Sequence, residues 1–295
     1  MHDFLTGYTM FHWVEGWSNP ALDLFFRAVT DLGYPFFYYL LIAPLFWVVD
    51  RRRALVLFLL LLLAALVNGE AKLLVNTPRP DPQVVRVLDL RPIQSGSPAF
   101  PSGHAQIAVV FWGYLALWAR RRWFQVLAVF LIAAISFSRI YLGAHFPIDV
   151  VGGLILGIAL LAAVGPLDRW AANDFASPPS TRLIAAVAAL LIVFTSSDSG
   201  MIVIGGCLLA VVILLSLPQA RLSFSSQPQM YIVVAVGLLL QLGSATLLGQ
   251  FSGEGRATPA TGVRIALLWL IALWLYPQLV APALARLQSG LRTED

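Results

Sequence analysis

The chain has 295 residues, 59% of them hydrophobic and only 12% charged. Soluble domains carry about 25% charged residues, so this composition excludes a soluble globular class. The formal charge of +4 sits in short clusters such as Arg51-Arg52-Arg53 and Arg120-Arg121-Arg122. These flank apolar runs, a pattern that marks membrane topology rather than a polyanion-binding stripe, so nucleic acid is not an expected partner.

Residues 1–18 mix aromatics with His2, Asp3, His12 and Glu15. They read as an interfacial segment, and no cleaved signal peptide is expected because no basic region precedes an apolar stretch. Asn19-Pro20 predicts a helix start, an Asn cap followed by proline in the first turn. Asp23, Arg27 and Asp31 then recur every four residues, with Leu22, Phe25, Phe26 and Val29 on the opposite side. The pattern predicts an amphipathic helix lying along the bilayer surface, ending near Gly33. Cys207 is the only cysteine, so an intrachain disulfide is ruled out.

Several runs beyond Gly33 reach the roughly 20 residues a helix needs to cross about 30 Å of hydrocarbon. The expected fold is all-α, a polytopic membrane protein of about nine transmembrane helices. The spans are placed at 34–49, 54–75, 104–119, 123–140, 149–165, 182–196, 200–217, 230–248 and 263–281. Alternating them through a membrane puts eleven basic residues on one side and eight on the other. The richer side is then cytoplasmic, and the N-terminus faces outward. The segment 166–181, with Pro166, Asp168, Arg169, Asn173, Pro178 and Pro179, reads as a cytoplasmic linker. It divides 34–165 from a set of accessory helices over 182–295.

Three polar clusters fall on the outer side in this arrangement. Lys72 lies near the end of a span, and Arg79-Pro80 follows after a turn at Thr77-Pro78. A snorkelling lysine and an interfacial arginine would explain the pair equally well. Pro101-Ser102-Gly103-His104 precedes an apolar run, which puts Ser102 and Gly103 at a helix N-terminus whose free N–H groups suit an anion. His104 could exchange a proton with a bound ester oxygen there, although an ordinary Pro-Ser helix start would look the same. The last cluster runs from Ser138-Arg139 to His145 and Asp149. Asp149 can hold one ring nitrogen of His145 and leave the other as a lone pair, the pattern of an activated nucleophile. Arg139 offers a planar donor to phosphate oxygens. The alternative is an Arg–Asp pair sealing a helix hairpin. Taken together, three cations and a helix N-terminus around two histidines match the charge of a phosphoryl transition state. No set of Asp, Glu, His or Cys has metal-ligand spacing, so neither a metal nor another cofactor is expected.

Lys72-x6-Arg79-Pro80, Pro101-Ser102-Gly103-His104 and Ser138-Arg139-x5-His145-x3-Asp149 resemble the three-part signature of the type 2 phosphatidic acid phosphatase superfamily. Eleven residues agree in order and spacing. The resemblance covers roughly residues 20–165, and the span count is closer to its glucose-6-phosphatase branch. It implies that His145 is a nucleophile forming a phosphohistidine, that Asp149 orients it, and that His104 protonates the leaving group and then activates water. It further implies that Lys72, Arg79, Ser102, Gly103 and Arg139 hold the phosphate, and that no metal is required.

The expected function is thus a membrane phosphatase acting on a lipid or polyprenyl (pyro)phosphate held in the bilayer. The setting would be a bacterial inner membrane, with the site facing the periplasm or cell exterior. A soluble sugar phosphate as substrate, transfer to another acceptor alcohol, and an anion transporter using the same cations are the other readings. Outside the signature, Asn68 is expected to hydrogen-bond Lys72, and the outer loop bearing Asp81, Arg86, Asp89 and Arg91 either caps the site and reads the headgroup or is merely solvated. Gly153-x3-Gly157 reads as a helix-packing face.

Overall fold

A computed structural model describes residues 2–89, 96–196, 199–218, 220, 222–250 and 258–291. Most of the described residues are helical, and there is no strand among them. The chain divides into two units, one of residues 1–38 and 57–167 and one of residues 39–56 and 168–295. Arg91 lies outside the described residues.

The first unit holds the three clusters. Its N-terminal part is α1 (His2–Thr6), α2 (Thr9–Glu15) and α3 (Pro20–Asp31). Asn19 Oδ1 accepts from the N–H groups of Ala21 and Leu22 at 3.1 Å each, so α3 starts where its cap and proline predict. Its faces differ from the expectation in one respect. Asp23, assigned by spacing to the outward charged stripe, turns inward to meet Arg86 and Tyr141, whereas Leu24 and Phe25 are exposed. Phe26 and Val14 pack on Tyr141 and Leu142, and Val29 packs on Ala108 and Ile135.

The rest of the unit is built from α5 (Arg51–Val75), α6 (Gly103–Ala119), α7 (Arg122–Tyr141) and α8 (Pro147–Leu160). Helix α5 gives its first residues to the second unit. Helix α6 packs against both α7 and α8. The α6–α8 contact is close because Gly153 and Gly157 face it. A Cβ on Gly153 would collide with Ser102 O, and one on Gly157 would lie 2.8 Å from Gln106 O. In hydrocarbon, where apolar burial gives no net drive, this close backbone approach is the main source of helix association. It also seats the start of α6 beside the start of α8. The Ser102 N–H donates to Asp149 O at 2.9 Å.

In the second unit, α4 (Pro35–Pro44, whose Tyr39–Pro44 part falls here) continues into a π-helical turn over Leu45–Val49. After α9 (Val164–Ala172), which covers part of the expected linker, come α10 (Pro179–Thr195), α11 (Ser199–Ser216), α12 (Gln227–Gln250), α13 (Pro259–Leu270) and α14 (Tyr276–Leu291). A second π-helical turn over Ile271–Leu275 joins the last two. The two π turns meet through Trp47 Nε1, which donates to Ala272 O at 2.9 Å. All four histidines of the chain belong to the first unit.

Among the described residues, four helices are long and apolar enough to cross a membrane: Arg51–Val75, Arg122–Tyr141, Pro147–Ala172 and Pro259–Arg286. A fifth arises if Pro20–Asp31 and Phe36–Val49, bent by 54°, count as one span. Outward side chains such as Val126, Phe130, Ile155 and Ile158 are more than 60% exposed. So much contiguous apolar surface suits a lipid surround rather than water.

Candidate active site

The first unit brings the three clusters to one end of its helices. Lys72, near the end of α5, donates its Nζ to Pro98 O and, at 3.4 Å, to Ala99 O. Arg79 reaches the same loop, with Nε to Ser97 O at 2.7 Å and Nη2 to Pro98 O at 3.1 Å. Its Nη1 donates to Ala144 O at 2.7 Å and lies 3.2 Å from His145 Nε2. Thr77 ties the two strands of this loop by accepting from the N–H groups of Ala99 and Phe100 at 2.9 Å each.

Ser102 caps the start of α6 by position but not by side chain. Its Oγ is fully buried and has no hydrogen-bond partner among the described residues. A buried hydroxyl without a partner is costly unless something else satisfies it. At a helix N-terminus beside two cations, an anionic oxygen would do so. Asn68 holds this end of α6 in place. Its Nδ2 donates to Gln106 Oε1 at 2.8 Å and to Pro101 O at 3.3 Å, and Gln106 Nε2 donates to Ala64 O at 3.0 Å. Asn68 therefore braces the helix start instead of bonding Lys72 as its spacing suggested.

The third cluster is shaped by the turn between α7 and α8. Gly143 has φ +69°, and its Cα faces Arg86 O so closely that a Cβ would come within 2.6 Å. A side chain would be strained there on both counts. The turn brings the N–H groups of Ala144 and His145 back onto Arg139 O at 3.0 and 3.2 Å. His145 is then sandwiched, with Nδ1 3.4 Å from Asp149 Oδ2 and Nε2 beside Arg79. The same Asp149 oxygen accepts the Phe146 N–H at 2.8 Å, which fixes the carboxylate. A proton on Nδ1, facing the carboxylate, leaves Nε2 as the lone pair that faces Arg79. Ser138, by contrast, donates its hydroxyl to Ile135 O at 2.6 Å and serves the helix.

Arg139 sits one layer deeper, fully buried. Its Nη1 donates to Asp89 Oδ2 at 2.9 Å and to Thr30 Oγ1 at 2.5 Å. Asp89 also accepts from Tyr34 OH at 3.2 Å. The ring of Tyr34 meets His104 edge to face, with centroids 4.6 Å apart. Arg86, a candidate headgroup reader by sequence, is engaged elsewhere, in a two-point pair with Asp23 at 2.8 and 3.0 Å. Thr30, Tyr34, Asp89 and Gln106 carry no local signal of these contacts, since each partner is 38 to 109 positions away or on a separate element.

Burial, then the charges of Arg79, Arg139 and Lys72, hold the His145 imidazole well below its ordinary value of 6.5. It is neutral at pH 7. Arg79 is lowered to about 10, first by burial and then by Arg139, and stays charged. The sign for stability follows from the histidine. Below pH 6.5 the unfolded chain binds a proton that the folded chain refuses, so stability falls as pH drops. The expected slope from this group reaches about 1.4 kcal/mol per pH unit below roughly pH 6.5. Thermal unfolding in detergent at pH 5 and pH 7 should show it in the wild type and show less of it in His145→Gln.

Among the described residues, no group of three or more His, Cys, Asp or Glu is placed to hold a metal ion. What the arrangement offers is an uncharged imidazole oriented by a carboxylate, a second imidazole, and three cations near a helix start with an unpartnered hydroxyl.

Residues 53–171 match the family described as the PAP2 superfamily. An undecaprenyl-diphosphatase of Sulfolobus acidocaldarius is 37% identical over 59 residues, 20% of this chain and 28% of the relative. A lipid A 4'-phosphatase of Bacteroides thetaiotaomicron is 36% identical over 64 residues, 22% of this chain and 28% of the relative. Phosphatidylglycerophosphatase B of Bacillus subtilis is 30% identical over 86 residues, 26% of this chain and 42% of the relative. The chain thus spans less than half the length of each of these relatives. No solved structure matches it significantly. The segment 53–171, which carries Lys72, Arg79, Ser102, His104, Arg139, His145 and Asp149, is the part of the chain that matches the PAP2 superfamily.

Proposed function

We propose that the protein is an integral-membrane phosphatase that hydrolyses a lipid or polyprenyl (pyro)phosphate monoester through a phosphohistidine, without a metal. The reading rests above all on the setting of His145, buried between Asp149 Oδ2 at 3.4 Å and Arg79 Nη1 at 3.2 Å. An arriving phosphoryl oxygen takes the Arg79 N–H from Nε2, which is then free to attack phosphorus. A P–N bond forms as the P–O bond to the lipid breaks, and His104 in its protonated form gives its proton to the departing oxygen. Asp149 stabilises the positive charge that develops on the ring. Water, deprotonated by His104, then breaks the P–N bond and releases phosphate. Lys72, Arg79, Arg139, the Ser102 hydroxyl and the Gly103 N–H hold the phosphoryl oxygens, whose charge grows in each transition state.

The finer topology is part of this proposal. Four of the nine expected spans coincide with helices long and apolar enough to cross a membrane, and the basic residues favour an outward N-terminus, with α3 along the membrane surface. The site then opens at the extracytoplasmic face of a bacterial inner membrane. There 34–165 forms the catalytic core and 182–295 the accessory helices. A lipid substrate is favoured because the names of the three relatives share a phosphate on a lipid or polyprenyl carrier.

The test is phosphate release by detergent-purified protein, with EDTA present. The substrates are phosphatidic acid, phosphatidylglycerophosphate, undecaprenyl pyrophosphate, sphingosine-1-phosphate and glucose-6-phosphate. Release from at least one lipid is expected. Turnover of glucose-6-phosphate alone would replace the lipid by a soluble sugar phosphate. Appearance of a phosphorylated acceptor alcohol in place of free phosphate would make the enzyme a phosphotransferase. Anion flux through proteoliposomes without any release would point to a transporter.

A further inference from the structure

The segment that matches the family begins at residue 53, yet two polar side chains before it reach the candidate site. Thr30 Oγ1 accepts from Arg139 Nη1 at 2.5 Å, and Tyr34 OH donates to Asp89 Oδ2 at 3.2 Å. Asp89 Oδ2 is also the atom that pairs with Arg139. The Tyr34 ring lies against His104, and the adjacent Gly33 backs the same imidazole so tightly that a Cβ would come 2.6 Å from His104 Cδ2. One residue therefore touches the surroundings of two groups with different tasks. Its hydroxyl acts on the carboxylate that holds Arg139, and its ring acts on His104.

This contact is also anchored. Arg86 N–H donates to Glu15 Oε1 at 2.7 Å, and the Arg86 guanidinium pairs with Asp23, which also accepts from Tyr141 OH at 2.7 Å. The N–H groups of Leu88 and Asp89 donate to Leu142 O at 2.9 and 3.4 Å. The loop carrying Asp89 is thus fastened to α2 and α3 on one side and to the turn before His145 on the other. Thr30 lies in α3 itself, and the Tyr34 N–H donates to Asp31 O at 3.1 Å, which ties Tyr34 to the end of that helix.

We infer that Tyr34 is a positioning residue for both His104 and Arg139, so that the N-terminal helices complete the active site of the segment that follows them. The inference rests on the phosphatase reading for its kinetic form. Its geometric core, control of a phosphate-binding arginine and of the neighbouring imidazole, does not. Tyr34→Phe separates the two tasks, because it keeps the ring on His104 and removes the hydroxyl from Asp89. Tyr34→Leu removes both.

With the lipid of highest wild-type turnover as substrate, Tyr34→Phe is expected to lower kcat/KM about 3- to 10-fold, the scale of one lost hydrogen bond. Its pH–rate profile should keep the wild-type shape. Tyr34→Leu is expected to lower kcat about 30-fold or more and to change the alkaline limb of the pH–rate profile, where the general acid acts. Melting temperature in detergent is recorded for both variants. Activity losses that scale with melting temperature and leave the pH profile unmoved would mean scaffolding only, and would overturn the inference. So would wild-type kinetics in both variants.

If the wild type releases phosphate from no substrate, the phosphatase reading fails, and stabilisation by inorganic phosphate takes over as readout. A phosphate-induced rise in melting temperature that shrinks in Tyr34→Phe then supports the inference. An equal rise in both proteins, or none in either, refutes it.

Discussion

His145→Ala is expected to lower phosphate release by roughly 10⁴- to 10⁶-fold, the scale of removing an attacking group that its neighbours cannot replace. The residue is 2% exposed, with Nδ1 3.4 Å from Asp149 Oδ2 and Nε2 3.2 Å from Arg79 Nη1, so no water in its place would be both oriented and nucleophilic. Asp149→Asn should cost less, about 10²- to 10⁴-fold, because the amide can still occupy the space but favours the wrong tautomer and leaves the developing imidazolium without a counter-charge. Phosphate release measured on matched amounts of folded protein checks the pair. Activity in His145→Ala within tenfold of the wild type would remove the nucleophile assignment altogether.

His104→Ala is expected to lower turnover of a lipid phosphate about 10²- to 10⁴-fold, the usual contribution of a positioned acid–base group. The informative comparison uses an aryl phosphate, whose leaving group departs without a proton. With it the first step should be largely spared while the second, which needs His104 as base, stays slow. Phosphoenzyme should then accumulate, and its P–N bond should be labile in acid and stable in alkali. Denaturing gels of the radiolabelled protein would show a band in His104→Ala that is absent in the His104→Ala, His145→Ala double variant. A label that survives loss of His145 would place the covalent step elsewhere.

The features that could be read along the chain are those with short-range causes. Apolar runs long enough to be helices become helices, and Asn19-Pro20 starts α3 because a cap and a proline act within one turn. His145 and Asp149 meet because they flank a single turn. The features that escaped depend on distant partners. Nothing near Asp23 says that it faces inward, since the reason is Arg86, 63 positions away. Spacing pairs Asn68 with Lys72, one helical turn on, but its carboxamide donates to Gln106, 38 positions away, instead. Arg139 was read as a direct phosphate ligand, and its pairing with Asp89 and Thr30 adds a supporting layer that no local pattern announces. The π turns at Leu45–Val49 and Ile271–Leu275 likewise have no proline or glycine within them to mark them.

The carbonyls of Ser97, Pro98 and Ala144 around the Arg79 guanidinium have a consequence for turnover. Main-chain dipoles already solvate the cation when no anion is bound, so two positive side chains can remain neighbours without a counter-ion to quench their repulsion. An incoming anion then trades one set of oxygens for another rather than filling an electrostatic void. In the proposed reaction that exchange would moderate the grip on inorganic phosphate and let the product depart, as a catalyst that must cycle requires.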